Sequence, residues 1–249
     1  RPWMIDETKF WHFGVSAGHT TVNSQYRADG TFSQANATAG QNSGGMSFVG
    51  FLGTNVDRTN VLNTGNLTSG SSDSPDARRI DSYDRYGAET ALVYGPFSAQ
   101  AEYLRTNING LNYSGEHLTG YYGYLSYFLT GESRAYHVRN GAWNRIVPNK
   151  SFHWNGTGLG AWEFAVGYDY LNMNNGKIRG GEADMIRFAL NWYPHTHVRV
   201  MTNVNHVLNL NTAGVVNYNA AGEPIANDRS QGFHDANITS FLTRVQVDF

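Results

Sequence analysis

Charged side chains recur in this chain where they alternate with apolar ones, and charges in that pattern could govern the passage of ions. Trp162, Phe164 and Val166 share one face of an extended stretch, whereas Glu163 and Asp169 share the other. Clusters of charge that face the water of a pore set its ion selectivity. The same alternation turns the following charges toward water: Glu89, Glu102, Glu163, Asp169, Arg187, Arg199, Arg244 and Asp248. Two roles stay open for them, direct selection of ions and salt bridges that brace the wall.

Catalytic and metal chemistry have less support in the sequence. His195 and His197 have the spacing of two metal ligands, but a polar turn is the expected structure because no carboxylate or further histidine is near them. The chain has no cysteine. We therefore expect no metal, no cofactor and no enzyme activity. One alternative stays open, a lipid hydrolase on a barrel wall that uses His206 with Ser240 or Thr202.

The charged residues must be positioned by β-strands, since apolar and polar residues alternate with period two over long stretches. Such two-sidedness is typical of a membrane β-barrel, with apolar residues toward lipid and polar residues toward the lumen. The last strand ends on Phe249, and a terminal aromatic there resembles the C-terminal signature of bacterial outer-membrane proteins. An all-β fold, a transmembrane antiparallel β-barrel, is therefore expected.

About nine strands reach the 9–11 residues that cross a bilayer obliquely. They are predicted at 11–22, 45–54, 86–94, 97–105, 119–129, 161–170, 185–193, 198–208 and 238–249, of which 45–54 is the weakest because glycines interrupt it. The short turn at 193–196 and the long loop at 209–236 are expected on opposite rims, and 55–84 on the outer rim. Segment 131–158 is either a long periplasmic connection or a further short hairpin.

Composition and aromatic placement agree with a barrel. Charged residues make up 15% of the 249 residues, against about 25% in soluble domains. A net charge of −2 gives no reason to expect nucleic acid as a partner. Aromatic residues near strand ends are predicted to form a membrane-interface girdle, and they are Trp11, Trp162, Trp192, Tyr193 and Phe249.

Several runs resemble the phosphate-selective porin O/P family. They include 127–133 (Tyr-Phe-Leu-Thr-Gly-Glu-Ser), 160–163 (Gly-Ala-Trp-Glu) and 63–66 (Asn-Thr-Gly-Asn), in the family's order. The resemblance extends from about residue 45 to the end. It implies a homotrimeric porin of the bacterial outer membrane with about sixteen strands. It further implies partners such as membrane lipid and lipopolysaccharide, and diffusion of small hydrophilic solutes with a preference for anions such as phosphate.

The chain departs from this family in its arginines. Phosphate-specific members resemble one another in a run of alternating arginines that face the pore just before the Asn-Thr-Gly-Asn segment. Here 46–58 contains one cation, Arg58, which we expect to line the pore. The sequence therefore predicts weak or moderate anion selectivity and no tight phosphate site.

Nine strands would leave two unpaired edges, which hydrocarbon does not tolerate. We therefore expect residues 1–249 to be the C-terminal part of one barrel domain, with about seven strands before Arg1. A soluble β-sandwich that binds a ligand is the remaining alternative, and it should bury aliphatic faces between two sheets.

Overall fold

All regular secondary structure in the described residues is β-strand. The computed structural model describes residues 3–22, 47–53, 61–65, 67, 80–110, 113–212 and 235–248. The strands in chain order are β1 (Trp3–Asp6), β2 (Lys9–Thr21), β3 (Val49–Gly50), β4 (Leu62–Asn63), β5 (Ile80–Tyr94), β6 (Phe97–Gly110), β7 (Glu116–Phe128), β8 (Tyr136–His137), β9 (Ala142–Trp143), β10 (Ala161–Asn175), β11 (Ile178–His195), β12 (Val198–Asn211) and β13 (Thr239–Val247). In this part of the chain, no helix is long and apolar enough to span a membrane.

Nine strands form one antiparallel sheet in the order β1-β2-β5-β6-β7-β10-β11-β12-β13. β1 pairs with β2, β13 pairs with β12, and both leave one side unpaired in the described residues. The expectation of a barrel-type sheet with two open edges is thus confirmed for the part of the chain that is described. The remaining short strands form two small hairpins, β3-β4 and β8-β9, so the described strands do not build two packed sheets as a sandwich requires.

The two faces of the sheet differ as the alternation predicts. The outer face exposes large apolar side chains, including Val15 at 89%, Phe241 at 72% and Phe164 at 45% of their surface. The inner face carries the alternating polar positions, such as Glu89 paired with Glu102 on β5 and β6. Residues paired across antiparallel strands point to the same face, so the register fixes which side chains share it.

Both ends of the sheet carry connections of different lengths. The turns at 7–8, 95–96 and 196–197 and the connection 129–160 lie at one end, which we call the turn end. At the other, the loop end, β2 and β12 lead into their long connections, and β6 and β10 make short turns into β7 and β11. This agrees with the expected opposite rims for the turn at 193–196 and the loop at 209–236. Most of that loop lies outside the described residues, as does most of 55–84.

The prediction of a membrane-crossing strand at 45–54 is wrong. Its described residues belong to the loop-end segment (47–53, 61–65 and 67), which packs on the inner face and contains the β3-β4 hairpin. Val61, Leu62 and Leu67 are buried there in one apolar cluster with Ile108 and Met173 of the wall. The glycines explain the error, because a Cβ on Gly50 would lie 3.0 Å from Leu171 Cδ2 and Gly53 has a φ of +69°. They allow close packing against the wall and a turn that a spanning strand does not need.

The connection at 129–160, the turn-end segment, joins β7 to β10 and folds onto the inner face from the turn end. It contains the β8-β9 hairpin, in which Tyr136 pairs with Trp143. Segment 131–158 is therefore a long connection that also contains a short hairpin, so each alternative left open by the sequence describes part of it. A small buried apolar cluster lies where this segment meets the turn end of the wall, and it contains Phe128, Ile146, Ala161 and Tyr193.

Candidate functional site

A cavity of about 640 Å³ lies on the inner face between the two inner segments. Gly53 of the loop-end segment and Arg134 of the turn-end segment border it, and Asp169, Arg187 and Arg199 of the wall complete it. Because it collects polar and charged groups of both signs, we take the inner face around it as the candidate functional site.

The described charged positions that were predicted to face water lie on this inner face, and two of the carboxylates lie apart from the arginines. Glu89 and Glu102 lie opposite each other on β5 and β6. Arg187, Arg199 and Arg244 lie on β11, β12 and β13, which are separated from β6 by β7 and β10. The cations and these two carboxylates therefore occupy different sectors of the wall.

Glu163 is the most enclosed of the predicted charges. None of its surface is exposed, and its carboxylate accepts hydrogen bonds from Arg134, from Asn191 Nδ2 at 3.1 Å and from the Tyr193 hydroxyl at 2.8 Å. The Arg134 guanidinium also lies over the Trp143 ring, 5.3 Å from its centroid. Removed from water and fully bonded, Glu163 fits the bracing role, since it joins the turn-end segment to the wall.

Sequence reasoning missed Arg134. The available signal was indirect: a carboxylate predicted to face inward near the base of a strand needs a cationic partner if it is buried. That partner lies in the turn-end segment, which has no strand periodicity, so the pattern gave no means of identifying it.

Asp169 and Arg187 also pair with each other. Arg187 Nε lies 2.5 Å from Asp169 Oδ2, and its Nη2 donates to Oδ1 at 2.6 Å. Both side chains keep part of their surface exposed, 28% for the aspartate and 40% for the arginine. Their charges compensate each other at the border of the cavity.

A chain of three polar side chains fastens the β8-β9 hairpin to the wall. His12 Nε2 lies 3.0 Å from Glu89 Oε1, and the Tyr136 hydroxyl lies 2.7 Å from His12 Nδ1. A carboxylate only accepts, so His12 donates from Nε2 and its Nδ1 accepts from Tyr136. Burial, and secondarily the charge of Glu89, raise the pKa of Tyr136, which keeps this hydroxyl protonated.

A second fastening involves Gln100 on β6. Its side-chain oxygen accepts from Trp143 Nε1 at 2.7 Å and from the Tyr124 hydroxyl at 2.8 Å, while its nitrogen donates to the Tyr122 hydroxyl at 2.9 Å. Phe10 packs under the hairpin with its ring 4.8 Å from that of Tyr136. The hairpin is thus held by polar and aromatic contacts together.

The later arginines have no carboxylate partner among the described residues. Arg199 donates to Gln246 Oε1 from Nε at 3.1 Å and from Nη2 at 2.7 Å. Arg244 makes no salt bridge within the described ranges. Arg58 lies outside the described residues.

Three of the aromatic residues predicted for the girdle lie on the outer face. Trp162 and Trp192 stack there at 5.6 Å, and Trp11 exposes 46% of its surface. Tyr193 follows Trp192 in the alternation and therefore lies on the inner face, whereas a girdle residue must lie on the outer face. Its side chain is buried against Glu163. Phe249 lies outside the described residues.

The described ranges contain the three histidines considered as metal ligands or as a catalytic base. His195 and His197 stack at 5.7 Å, and no cluster of metal-ligating side chains occurs in that part of the chain. His206 Nδ1 lies 2.9 Å from Thr239 Oγ1. Ser240 pairs with Asn205, whereas His206 pairs with Thr239, so Ser240 lies on the face opposite His206.

Comparisons with known proteins agree with this architecture. The family model for the phosphate-selective porins O and P matches residues 4–217. An uncharacterized protein of Caulobacter vibrioides is 32% identical over 164 residues, which cover 66% of this chain and 30% of that protein. Porin O of Pseudomonas aeruginosa is 32% identical over 127 residues, 46% of this chain and 27% of that protein. The matched parts thus span less than a third of each curated relative. The chain belongs to the phosphate-selective porin O and P family and is a protein of the bacterial outer membrane.

Proposed function

We propose that this chain is the C-terminal part of a single barrel domain that forms a water-filled channel for passive diffusion of small hydrophilic solutes. The observation that carries the proposal is one antiparallel sheet with an apolar exposed outer face and a polar inner face. Lipid fits the first and water the second. Inner segments that leave a cavity beside the wall fit the constriction of a channel.

Further strands of a longer chain would close the barrel between β1 and β13. Unpaired backbone groups at these edges are too costly in hydrocarbon. The matched relatives are more than three times as long as the parts that match, which supports additional strands. We assign the turn end to the periplasm, because barrels of this kind have short periplasmic turns. A homotrimer surrounded by lipid and lipopolysaccharide is the assembly we propose.

A weak preference for anions follows from the charges that stay uncompensated. Arg134 and Arg187 are paired with carboxylates, whereas Arg199 and Arg244 have none in the described part of the chain. Glu102 and the His12-bonded Glu89 oppose them from another sector, which limits the net preference. Tight phosphate binding needs several converging donors, and the described wall offers few that are free of carboxylates.

The full-length protein, purified and reconstituted in a planar bilayer, tests this function. We expect discrete conductance steps and a reversal potential under a salt gradient that favours anions modestly. Release of fatty acid from phospholipid by the same preparation would favour the enzyme alternative. The absence of any channel current from heat-modifiable, folded protein would refute the proposal.

A further inference from the structure

A second cavity, which we call the turn-end cleft, lies where the turn-end segment meets the start of β12. Its volume is about 590 Å³. Trp143, Arg145 and Ile146 line one side, and Val198, Arg199 and Asp248 line the other. The salt bridges and fastenings described above do not account for Arg145 or for the shape of this cleft.

Two guanidinium groups converge on the cleft. Arg145 Nη1 donates to His197 Nδ1 at 3.1 Å, and Arg199 is held by Gln246. His197 and Arg199 are two residues apart, so their backbones are separated by at most about 7 Å. The contact with His197 therefore brings the Arg145 guanidinium close to the base of Arg199, although the two arginines are far apart in sequence.

The charge in the cleft is not balanced by the described residues. Arg145 and Arg199 have no carboxylate partner there, and Arg134, which also borders the cleft, is already paired with Glu163. Asp248 is the one carboxylate among the lining residues, and it accepts from Gln246 Nε2 at 2.7 Å. Among the described residues two unpaired cations face one anion, so the cleft attracts negative ligands.

Donor capacity remains for an oxyanion. Each guanidinium has five N–H groups. The contacts described use one of them on Arg145 and two on Arg199. The remaining donors suit a carboxylate, which can accept from both arginines in a charge-assisted contact. Gln246 and His197 hold the two side chains in place, which reduces the entropy lost on binding.

The same cleft has an apolar side. Ile146 exposes only 6% of its surface. The Trp143 ring is fixed by its hydrogen bond to Gln100 and by an edge-to-face contact with Tyr136, whose ring centroid is 5.9 Å away. Small-molecule sites commonly combine such an apolar wall with a few polar groups that fix orientation.

We propose that the turn-end cleft binds a small organic carboxylate, whose carboxylate group contacts Arg145 and Arg199 while its apolar body lies against Trp143 and Ile146. Inorganic phosphate could use the two guanidiniums but has no body to fill the apolar side. The site goes beyond the proposed channel, since binding does not require that the ligand pass through the protein.

Calorimetric titration of the full-length protein in detergent at low salt tests the site, with benzoate, acetate and inorganic phosphate as probes. We expect saturable binding of benzoate that is at least about tenfold tighter than that of acetate or phosphate, because only benzoate buries an apolar ring. Arg199→Gln and Arg145→Gln should each weaken benzoate binding by about tenfold or more, since each removes a charged donor. Arg139→Gln, at an exposed position of the same segment outside the cleft, is the matched control and should bind like the wild type.

Three results would overturn the proposal: no saturable heat with benzoate, wild-type affinity in both arginine variants, or equal affinity for phosphate and benzoate. Heat-modifiable gel mobility checks that each variant is folded, and Arg199→Lys provides a second variant that retains the charge while losing the planar guanidinium. Conductance measured on the same preparations keeps the two proposals separate. Protein that binds benzoate but carries no current would refute the channel and support the binding site in the cleft. Protein that carries current but does not bind benzoate would refute the binding site and support the channel.

Discussion

A buried carboxylate such as Glu163 is costly unless every oxygen is bonded and its charge is matched. Its partners come from two parts of the chain, Arg134 from the turn-end segment and Asn191 and Tyr193 from β11. Removal of one member of a buried pair leaves the other charge unpaired, which is more harmful than removal of both.

Arg134→Met should therefore lower the free energy of unfolding by about 3–5 kcal/mol. The double variant Arg134→Met/Glu163→Gln should recover part of that loss, because the remaining amide is neutral. Thermal or urea denaturation of the full-length protein measures both. Additive effects of the two substitutions would contradict a coupled pair.

The uncompensated arginines lead to a prediction about selectivity. Arg199→Gln with Arg244→Gln should shift the reversal potential toward cations, most strongly at low salt, where screening is least. Adding Arg187→Gln should shift it further, since Asp169 then loses its compensating charge. The control is Arg199→Lys with Arg244→Lys, which keeps the charges. An unchanged potential at low salt would leave these arginines with a bracing role alone.

At the scale of the element, period-two alternation predicted most of the sheet, including which face of β10 and β11 is apolar. It failed at 45–54, where a short run of alternating residues packs inside the sheet. It also missed the short edge strand β1, since four residues give too little alternation to recognise. The contacts that hold the turn-end segment could not be predicted for a different reason. Tyr136 meets His12, and Trp143 meets Gln100, through tertiary packing and not through any local pattern.

The β8-β9 hairpin occupies space beside the wall, so its release should widen the channel that we propose. Trp143→Ala removes the bond to Gln100, the stacking with Arg134 and the packing on Phe10. We expect a larger and noisier single-channel conductance in planar bilayers. Arg139→Gln on the same connection is the control, and an unchanged conductance in the alanine variant would argue that the hairpin does not border the channel.

The same hairpin should respond to alkaline pH through Tyr136. Burial and Glu89 raise the pKa of this tyrosine, so the docked hairpin holds the proton more strongly than a free one. Docking is therefore stable below the ordinary tyrosine pKa of about 10 and weakens as pH rises through the higher docked value. Conductance noise should rise above pH 10 in the wild type and rise less in Tyr136→Phe, which has no proton to lose. Equal profiles for the two proteins would contradict this account.

At the scale of the whole molecule, the edges β1 and β13 decide how the chain behaves alone. The isolated 249-residue chain should fail to give a compact, heat-modifiable form in detergent, whereas the full-length protein should give one. Unpaired edges favour pairing with other copies, so aggregation is the expected alternative. A monomeric, protease-resistant fold of the isolated chain, shown by size-exclusion chromatography and limited proteolysis, would contradict the need for further strands.

The contact between Tyr136 and His12 also constrains the order of assembly, because 124 positions separate the two residues. Contacts over such long separations form late, since the ordering of the intervening chain must come first. The hairpin can therefore dock only after the strands that connect it to His12 have paired, namely β2, β5, β6 and β7. A docked hairpin therefore indicates that these four strands have paired in the correct register.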